Sequence, residues 1–419
     1  MIPIQPIFPV QLRGEVILPA SKSISARALV MSALAGRGKL SYLSDCDDTH
    51  VLQNALSVRL PKIDILAAGT AMRFSTAYFA TQEGENHIIT GSDRMKQRPV
   101  KVLVDALREL GADIEYIEKE GFPPLCVRGR ILHGGVVKLP ANVSSQYISA
   151  LLMIGPVLHE GLKLELIGQV VSRPYIDMTV GLMKQFGADV DWISENGLVV
   201  RPKPYMQGLH FAVEPDWSGA SYWYEMVALA NDSGARIVLP GLREESLQGD
   251  SVVAELFSQL GVQTTYVDDT VILTKKSVPS DKKLLEIDFT TCPDLAQTLV
   301  VTCALQGQPF RFTGLQSLRI KETDRISALQ SELKKLGIVV DSRSLRQGDK
   351  TEEILEMLAG QAPQTEGMVE FATYDDHRMA MAFAPVALKC PNIRIAHPEV
   401  VSKSYPSFWE DLRGLGIRC

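Results

Sequence analysis

The sequence predicts an α/β protein, a two-domain inside-out α/β barrel in which each domain holds three repeats of βαβαββ type and the first repeat is truncated. Two periodic series and one gap predict it. A helix that stops at Leu-Gly or Phe-Gly before a short alternating strand recurs at Gly111, Gly187, Gly261, Gly337 and Gly416. The spacings are 76, 74, 76 and 79 residues. Glycine ends a helix because it accepts the left-handed backbone one position past the cap. Five such stops at near-constant spacing mark a repeated supersecondary element. The second series consists of polar starts to Ala- and Met-rich apolar helices, marked by Ser21, Gly69, Ser144, Asp216, Asp294 and Asp376. Its steps are 48, 75, 72, 78 and 82 residues. The short first step is the gap.

In chain order, residues 14–18 read as a strand that leads through Leu18-Pro-Ala-Ser-Lys-Ser-Ile-Ser-Ala-Arg27 into an apolar helix ending at Ala35. Between residues 49–56 and Ala67 there is no Leu-Gly stop and no alternating strand pair, so the first repeat has lost its hairpin. The second and third repeats start at Ala68-Gly-Thr-Ala-Met-Arg73 and Asn142-Val-Ser-Ser-Gln146. The last three start at Pro215-Asp-Trp-Ser-Gly219, Cys292-Pro-Asp-Leu-Ala296 and Asp375-Asp-His-Arg-Met379. Six repeats divide into two domains of three, expected at 20–213 and at 1–19 with 214–419. The marked helix starts are expected to face a cleft shared by the domains, a common place for a ligand.

Composition narrows the function. Of 419 residues, 46% are hydrophobic and 22% charged, as in a soluble globular protein. A net charge of −6 argues against a nucleic-acid partner. No apolar run reaches the length of a membrane span, and the N-terminal residues lack a signal-like pattern, so a cytoplasmic protein is expected. The six cysteines form no C-x-x-C pair, and the seven histidines form no ligand-spaced cluster, so no metal site is expected.

Helix starts attract anions through unpaired amides and the dipole. Here they are surrounded by donors. Lys22, Ser23 and Arg27 lie at the first, and Gly69 and Thr70 at the second, where a bare backbone can approach an anion. Arg94, Lys96 and Arg98 follow. Ser144, Ser145 and Gln146 lie at the third start, followed by Ser172 and Tyr175. The first half is expected to hold phosphates and carboxylates. The second half mixes acids with cations: Asp294 after Pro293, the run Lys321-Glu-Thr-Asp-Arg325, Asp376-His377-Arg378, and Lys403. Helical spacing would put Lys321 and Arg325 on one face. A carboxylate among cations stays ionised and can serve as a base, while a neighbour of raised pKa can donate.

Together these motifs, in this order, closely resemble the 5-enolpyruvylshikimate 3-phosphate synthase family over nearly the whole chain. The resemblance implies transfer of an enolpyruvyl group from phosphoenolpyruvate to the 5-hydroxyl of shikimate 3-phosphate, with release of phosphate and no metal or organic cofactor. It implies a monomer. It implies that Ser144, Ser145, Ser172 and Lys321 hold the phosphate of shikimate 3-phosphate. Ser23 and Arg27 would meet its carboxylate and hydroxyls, with Gln146 and Tyr175 beside the ring. Lys22, Gly69, Arg98, Gln146, Arg325, Arg378 and Lys403 would bind phosphoenolpyruvate. Asp294 would take the hydroxyl proton, and Glu322 would protonate the methylene carbon with help from Lys22.

The chain departs from the family pattern at Ala20 and Leu66, where glycine is usual, at Ala26 and Ala67, where asparagine is usual, and at Phe74, where proline is usual. Leu66, Ala67 and Phe74 border the expected phosphoenolpyruvate end, so weaker inhibition by its mimic glyphosate is expected than in family members with the usual motif. Two other readings compete. A UDP-N-acetylglucosamine enolpyruvyl transferase would usually carry a cysteine in the stretch Arg94–Pro99, which has none here. A non-catalytic repeat protein that binds a phosphorylated ligand would have no need of Lys22, Asp294, Glu322 and Lys403 together.

Overall fold

A computed structural model describes residues 1–6, 11–36, 38–141, 144–168, 170, 172–277, 281–347, 350–364 and 367–419. Asn142 and Val143 of the third helix start lie outside them. The chain divides into two compact units, Ala20–Glu214 and Met1–Pro19 with Pro215–Cys419.

Six helices follow the marked starts: α1 (Lys22–Ala35), α2 (Gly69–Ala80), α3 (Ser145–Ile154), α4 (Trp217–Leu229), α5 (Ala296–Gln306) and α6 (His377–Phe383). They are apolar on nearly every side. In α5 all but the last residue is buried, and in α6 all are. A helix without a polar face belongs inside a fold. Accordingly α1, α2 and α3 pack on one another in the first unit, and α4, α5 and α6 in the second.

Sheets surround these helices. Repeats two to six each give a four-stranded sheet with one order, a parallel pair and then two antiparallel strands on one member of that pair; in the second, third, fifth and sixth the pair brackets the inner helix. In the second repeat Lys62–Asp64 runs parallel to Asn86–Thr90, and Asn86–Thr90 pairs antiparallel with Leu125–Arg128, which pairs with Asp113–Tyr116. Parallel strands cannot be joined by a tight turn and need a long crossover, usually a helix, which is why the inner helix lies between them in the chain. The first repeat has only Leu209–Ala212 parallel to Gly38–Ser41. Its hairpin is absent among the described residues, in agreement with the gap in the sequence.

The five glycine stops at 111, 187, 261, 337 and 416 all have positive φ, between 72° and 99°. The strand expected at 14–18 starts one residue earlier and is shorter, Arg13–Glu15, with the Val16 amide still reaching the Val238 carbonyl at 2.9 Å. Sequence neighbours also exchange places. Arg13–Glu15, which precedes α1, pairs with Arg236–Pro240 of the fourth repeat, while Leu209–Ala212, which precedes α4, completes the first. The N-terminal strand Ile2–Pro6 serves as one hairpin strand of the sixth repeat, between Ile393–Ile395 and Ile417–Arg418.

Candidate active site

In the Ala20–Glu214 unit the expected residues gather at the starts of the inner helices. Ser21 caps α1 by accepting the Ile24 amide at 3.4 Å. Lys22 extends from the same turn and donates to Asp48 Oδ2 at 3.2 Å. Asp48 lies in the first turn of Asp47–Val58, and sequence reasoning gave it no part. Its one signal was an Asp pair at a helix start, which also fits a simple dipole contact.

Arg27 is 3% exposed. Its Nε donates to Thr179 Oγ1 at 2.7 Å and its Nη1 to the Ser23 carbonyl at 2.8 Å. Its Nη2 reaches Ser149 Oγ at 3.2 Å and the Tyr175 carbonyl at 3.3 Å. These bonds use four of five N–H groups. Burial pulls its pKa down to about 10, with Tyr175 acting the other way. Phe74, buried, lies under the guanidinium at 5.6 Å. Arg27 therefore ties Ser23, Tyr175 and the inner helices together.

At the start of α2, a Cβ on Gly69 would stand 2.6 Å from Arg98 Nη1 and 2.9 Å from Arg73 Nη1. Glycine is what lets two guanidinium groups lie against this helix start. Gln146 Nε2 donates to Thr70 Oγ1 at 3.0 Å, joining α3 to the same place. Ser144 caps α3 and Ser145 is its first residue. Ser172, ahead of Arg173–Gln185, holds φ 55° and ψ 38°. A non-glycine residue there stores backbone strain, a frequent mark of binding sites. Leu66, the departure before α2, also has a positive φ, 51°, and is exposed.

The other unit converges more tightly. Pro293–Leu295 forms a 3-10 turn before α5, with Asp294 as its second residue. Asp294 meets Arg325 Nη1 at 3.2 Å, Arg378 Nη2 at 3.1 Å and Lys321 Nζ at 3.6 Å. Glu322 accepts from Arg325 Nη2 at 3.1 Å and from Lys403 Nζ at 3.0 Å. Asp376 caps α6 through the Arg378 amide at 2.9 Å and accepts from Arg325 Nε at 2.7 Å. Lys321, Glu322, Arg325, Arg378, Lys403 and Asp294 thus share one network. Burial opposes the charge on Asp294, but Arg378, Lys321 and Arg325 outweigh it and hold the carboxyl well below the usual range. Arg325 is 1% exposed. Burial works against its charge too, and Asp376, Glu322 and Asp294 more than offset it.

One expectation is corrected. Lys321 and Arg325 do not share a helix face. Lys321 follows a 3-10 turn in extended backbone, Asp324 caps the helix, and the helix begins at Arg325. Asp324 stops the pattern by taking the Ser327 amide at 3.1 Å. Lys321 and Glu322 reach the cluster from a loop. Tyr374 and Asp375, with φ of 55° and 54°, set Asp376 in place. Tyr374 donates to the buried Glu332 at 2.6 Å.

A carboxylate enclosed by three cations, on repeats of this architecture, defines an enzyme-like site for anionic substrates. Comparisons specify it. The family model for EPSP synthase (3-phosphoshikimate 1-carboxyvinyltransferase) matches residues 55–412. The 3-phosphoshikimate 1-carboxyvinyltransferase of Bacteroides fragilis strain YCH46 is 55% identical over 413 residues, 98% of this chain and 97% of its own. That of Pasteurella multocida strain Pm70 is 35% identical over 95% of this chain and 94% of its own. A solved EPSP synthase structure from Acinetobacter baumannii matches in fold with a TM-score of 0.75, at 22% identity, over 99% of this chain and 98% of that one. The chain belongs to the EPSP synthase family.

Proposed function

We infer that this protein transfers the enolpyruvyl group of phosphoenolpyruvate to the 5-hydroxyl of shikimate 3-phosphate and releases phosphate, by addition and then elimination. The observation that carries the reading is Asp294, a carboxylate held ionised by Arg325, Arg378 and Lys321. Family membership supports the reaction class and favours neither alternative.

Shikimate 3-phosphate is assigned to Ser144, Ser145, Ser172 and Lys321 for its phosphate, and to Ser23, Arg27, Gln146 and Tyr175 for the ring and carboxylate. Phosphoenolpyruvate is assigned to Lys22, Gly69, Arg98, Gln146, Arg325, Arg378 and Lys403. On these assignments the first three repeats carry most of the shikimate 3-phosphate contacts, and the last three carry the acid–base pair Asp294 and Glu322 with the phosphoenolpyruvate cations Arg325, Arg378 and Lys403. Asp294 accepts the proton of the attacking hydroxyl as its oxygen bonds the central enol carbon. Glu322, with Lys22, gives a proton to the methylene carbon. In the elimination that carbon loses a proton to Glu322 or a neighbour, and the phosphate leaves. Acid–base steps of this kind contribute about 10²–10⁴-fold each, and fixed cations stabilise the developing charge. No metal or organic cofactor enters the scheme.

Glu322 pairs with Arg325 and Lys403, which are also assigned to phosphoenolpyruvate. An anion that draws those cations away raises the proton affinity of Glu322. Binding would then turn it into the acid that the reaction needs. We extend the reading to a cytoplasmic monomer. No helix among the described residues is long and apolar enough to cross a membrane.

The test mixes the protein with phosphoenolpyruvate and either shikimate 3-phosphate or UDP-N-acetylglucosamine and follows phosphate release. Release is expected with the first acceptor and not the second. Binding of shikimate 3-phosphate without release would sink the proposal.

A further inference from the structure

Close to this cluster lies a carboxyl to which the reaction scheme gives no role. Asp250 stands in the 3-10 turn Gly249–Val252 and is 4% exposed. Its Oδ2 accepts the hydroxyl hydrogen bond of Ser218, near the start of α4. Its Oδ1 has no hydrogen-bond partner among the described residues.

The position is fixed by side chains. Gln248 accepts from the Trp217 amide at 3.1 Å and donates to the Pro215 carbonyl at 2.8 Å, which staples the turn to α4. Asp216 takes the amides of Ser218 at 2.8 Å and Gly219 at 3.4 Å, so none of these donors is left for Asp250. An ionised carboxylate in such a place would carry a buried, unsatisfied charged oxygen, and the acid form avoids that cost.

The groups that act on Asp250 come from three elements. Asp216 belongs to the start of α4. Asp294, with Cys292 just ahead of it, belongs to the turn before α5. Arg378 belongs to α6. Burial and the charge of Asp294 push the Asp250 pKa up to about 7; Ser218 and Arg378 pull it down, and Asp216 pushes it up further. Asp250 also acts on the Cys292 thiol, whose pKa burial raises first and the carboxyl raises further.

We propose that Asp250 is a positioning residue for the anion cluster: as an uncharged acid it leaves the charge of Arg378 to an anionic ligand, and once ionised it competes for that charge and loosens the grip. The inference rests on the assignment of Arg378 to phosphoenolpyruvate. It gives the enzyme a pH response within the physiological range that belongs to the protein rather than to its substrates.

The test compares the wild type with Asp250→Asn, which keeps shape and removes the charge. KM for phosphoenolpyruvate is measured for both at pH 6 and pH 8. The ionisation of the substrate cancels in the ratio of the two proteins. The wild-type KM relative to that of the variant is expected to rise about three- to tenfold between those pH values, the range one proton equilibrium allows. A constant ratio overturns the proposal, since a purely structural role would shift both pH values alike.

Urea unfolding reads the same group without catalysis. An acid with a raised folded pKa binds more protons folded than unfolded, so it stabilises below the unfolded value and loses that contribution as pH climbs to the folded one. The wild type is expected to lose stability relative to Asp250→Asn from about pH 4 to pH 7 and to run parallel above. A parallel course throughout overturns the proposal. A slope in unfolding with a constant KM ratio overturns the link to Arg378. If neither protein turns over, the functional reading fails, and calorimetry with inorganic phosphate replaces KM. The same change in relative affinity supports the role of Asp250, and a constant relative affinity overturns it.

Discussion

The two units offer an anion different groups. Around the starts of α1, α2 and α3 the candidates are hydroxyls, amides, a glutamine and guanidinium groups, with Asp48 in contact with Lys22. Around α5 and α6, Asp294, Glu322 and Asp376 interlock with Lys321, Arg325, Arg378 and Lys403. A set dominated by donors can hold a ligand and polarise it. Proton transfer needs acids whose affinity changes as cations come and go, and those lie in the second set. On the proposed assignments both sets hold substrate, and the difference lies in the acids Asp294 and Glu322, which belong to the second.

Four changes would break or sharpen this division. The largest effect is expected at Asp294. Asp294→Ala should lower kcat by about 10³-fold while shikimate 3-phosphate still binds, because it removes a group used in the transition state. Phosphate release kinetics check it. Next is Arg325→Ala, which leaves three carboxylates facing a void where a buried cation stood. A loss of about 3–5 kcal/mol in unfolding free energy is expected, read by urea titration.

On the donor side, Gly69→Ala would push the flexible end of Arg98 aside by its 2.6 Å approach. KM for phosphoenolpyruvate should rise about tenfold with unfolding little changed, and steady-state kinetics beside a melting curve distinguish the two. The smallest effect is expected at Leu66→Gly. Relief of the left-handed backbone is worth about 1–2 kcal/mol against about 0.5–1 kcal/mol of glycine entropy, so a modest rise in unfolding free energy is expected.

Acid should weaken the second network. Asp294 has a depressed folded pKa, so the unfolded chain binds its proton at higher pH. Its contribution is present above the unfolded value near 3.9 and lost as pH falls through the lower folded value. Asp294→Asn should flatten that part of the acid-unfolding curve.

Much of the architecture was legible because it repeats. Glycines 111 to 416 recur with their helices, and the lost hairpin left a deletion that one repeat could be measured against. The strand exchange between Arg13–Glu15 and Leu209–Ala212 was not legible, since pairing across 223 and 171 residues leaves no local signal. The site divides the same way. Asp294 and Arg378 stood out as charges beside apolar helices, and Arg325 as part of a dense charged run. Lys321 was misplaced on a helix, because spacing within a charged run does not reveal that Asp324 caps the chain there. Asp48 and Asp250 passed unnoticed because each looks like an ordinary turn acid until the fold brings Lys22 to one and Ser218 to the other.

The division of labour is tested most directly by titrating shikimate 3-phosphate into Asp294→Ala and Ser145→Ala in a calorimeter, with phosphate release measured on the same samples. Asp294→Ala is expected to keep its dissociation constant within about twofold and lose nearly all turnover, and Ser145→Ala to bind at least tenfold more weakly. Lost binding in Asp294→Ala, or turnover that survives it, would contradict the account.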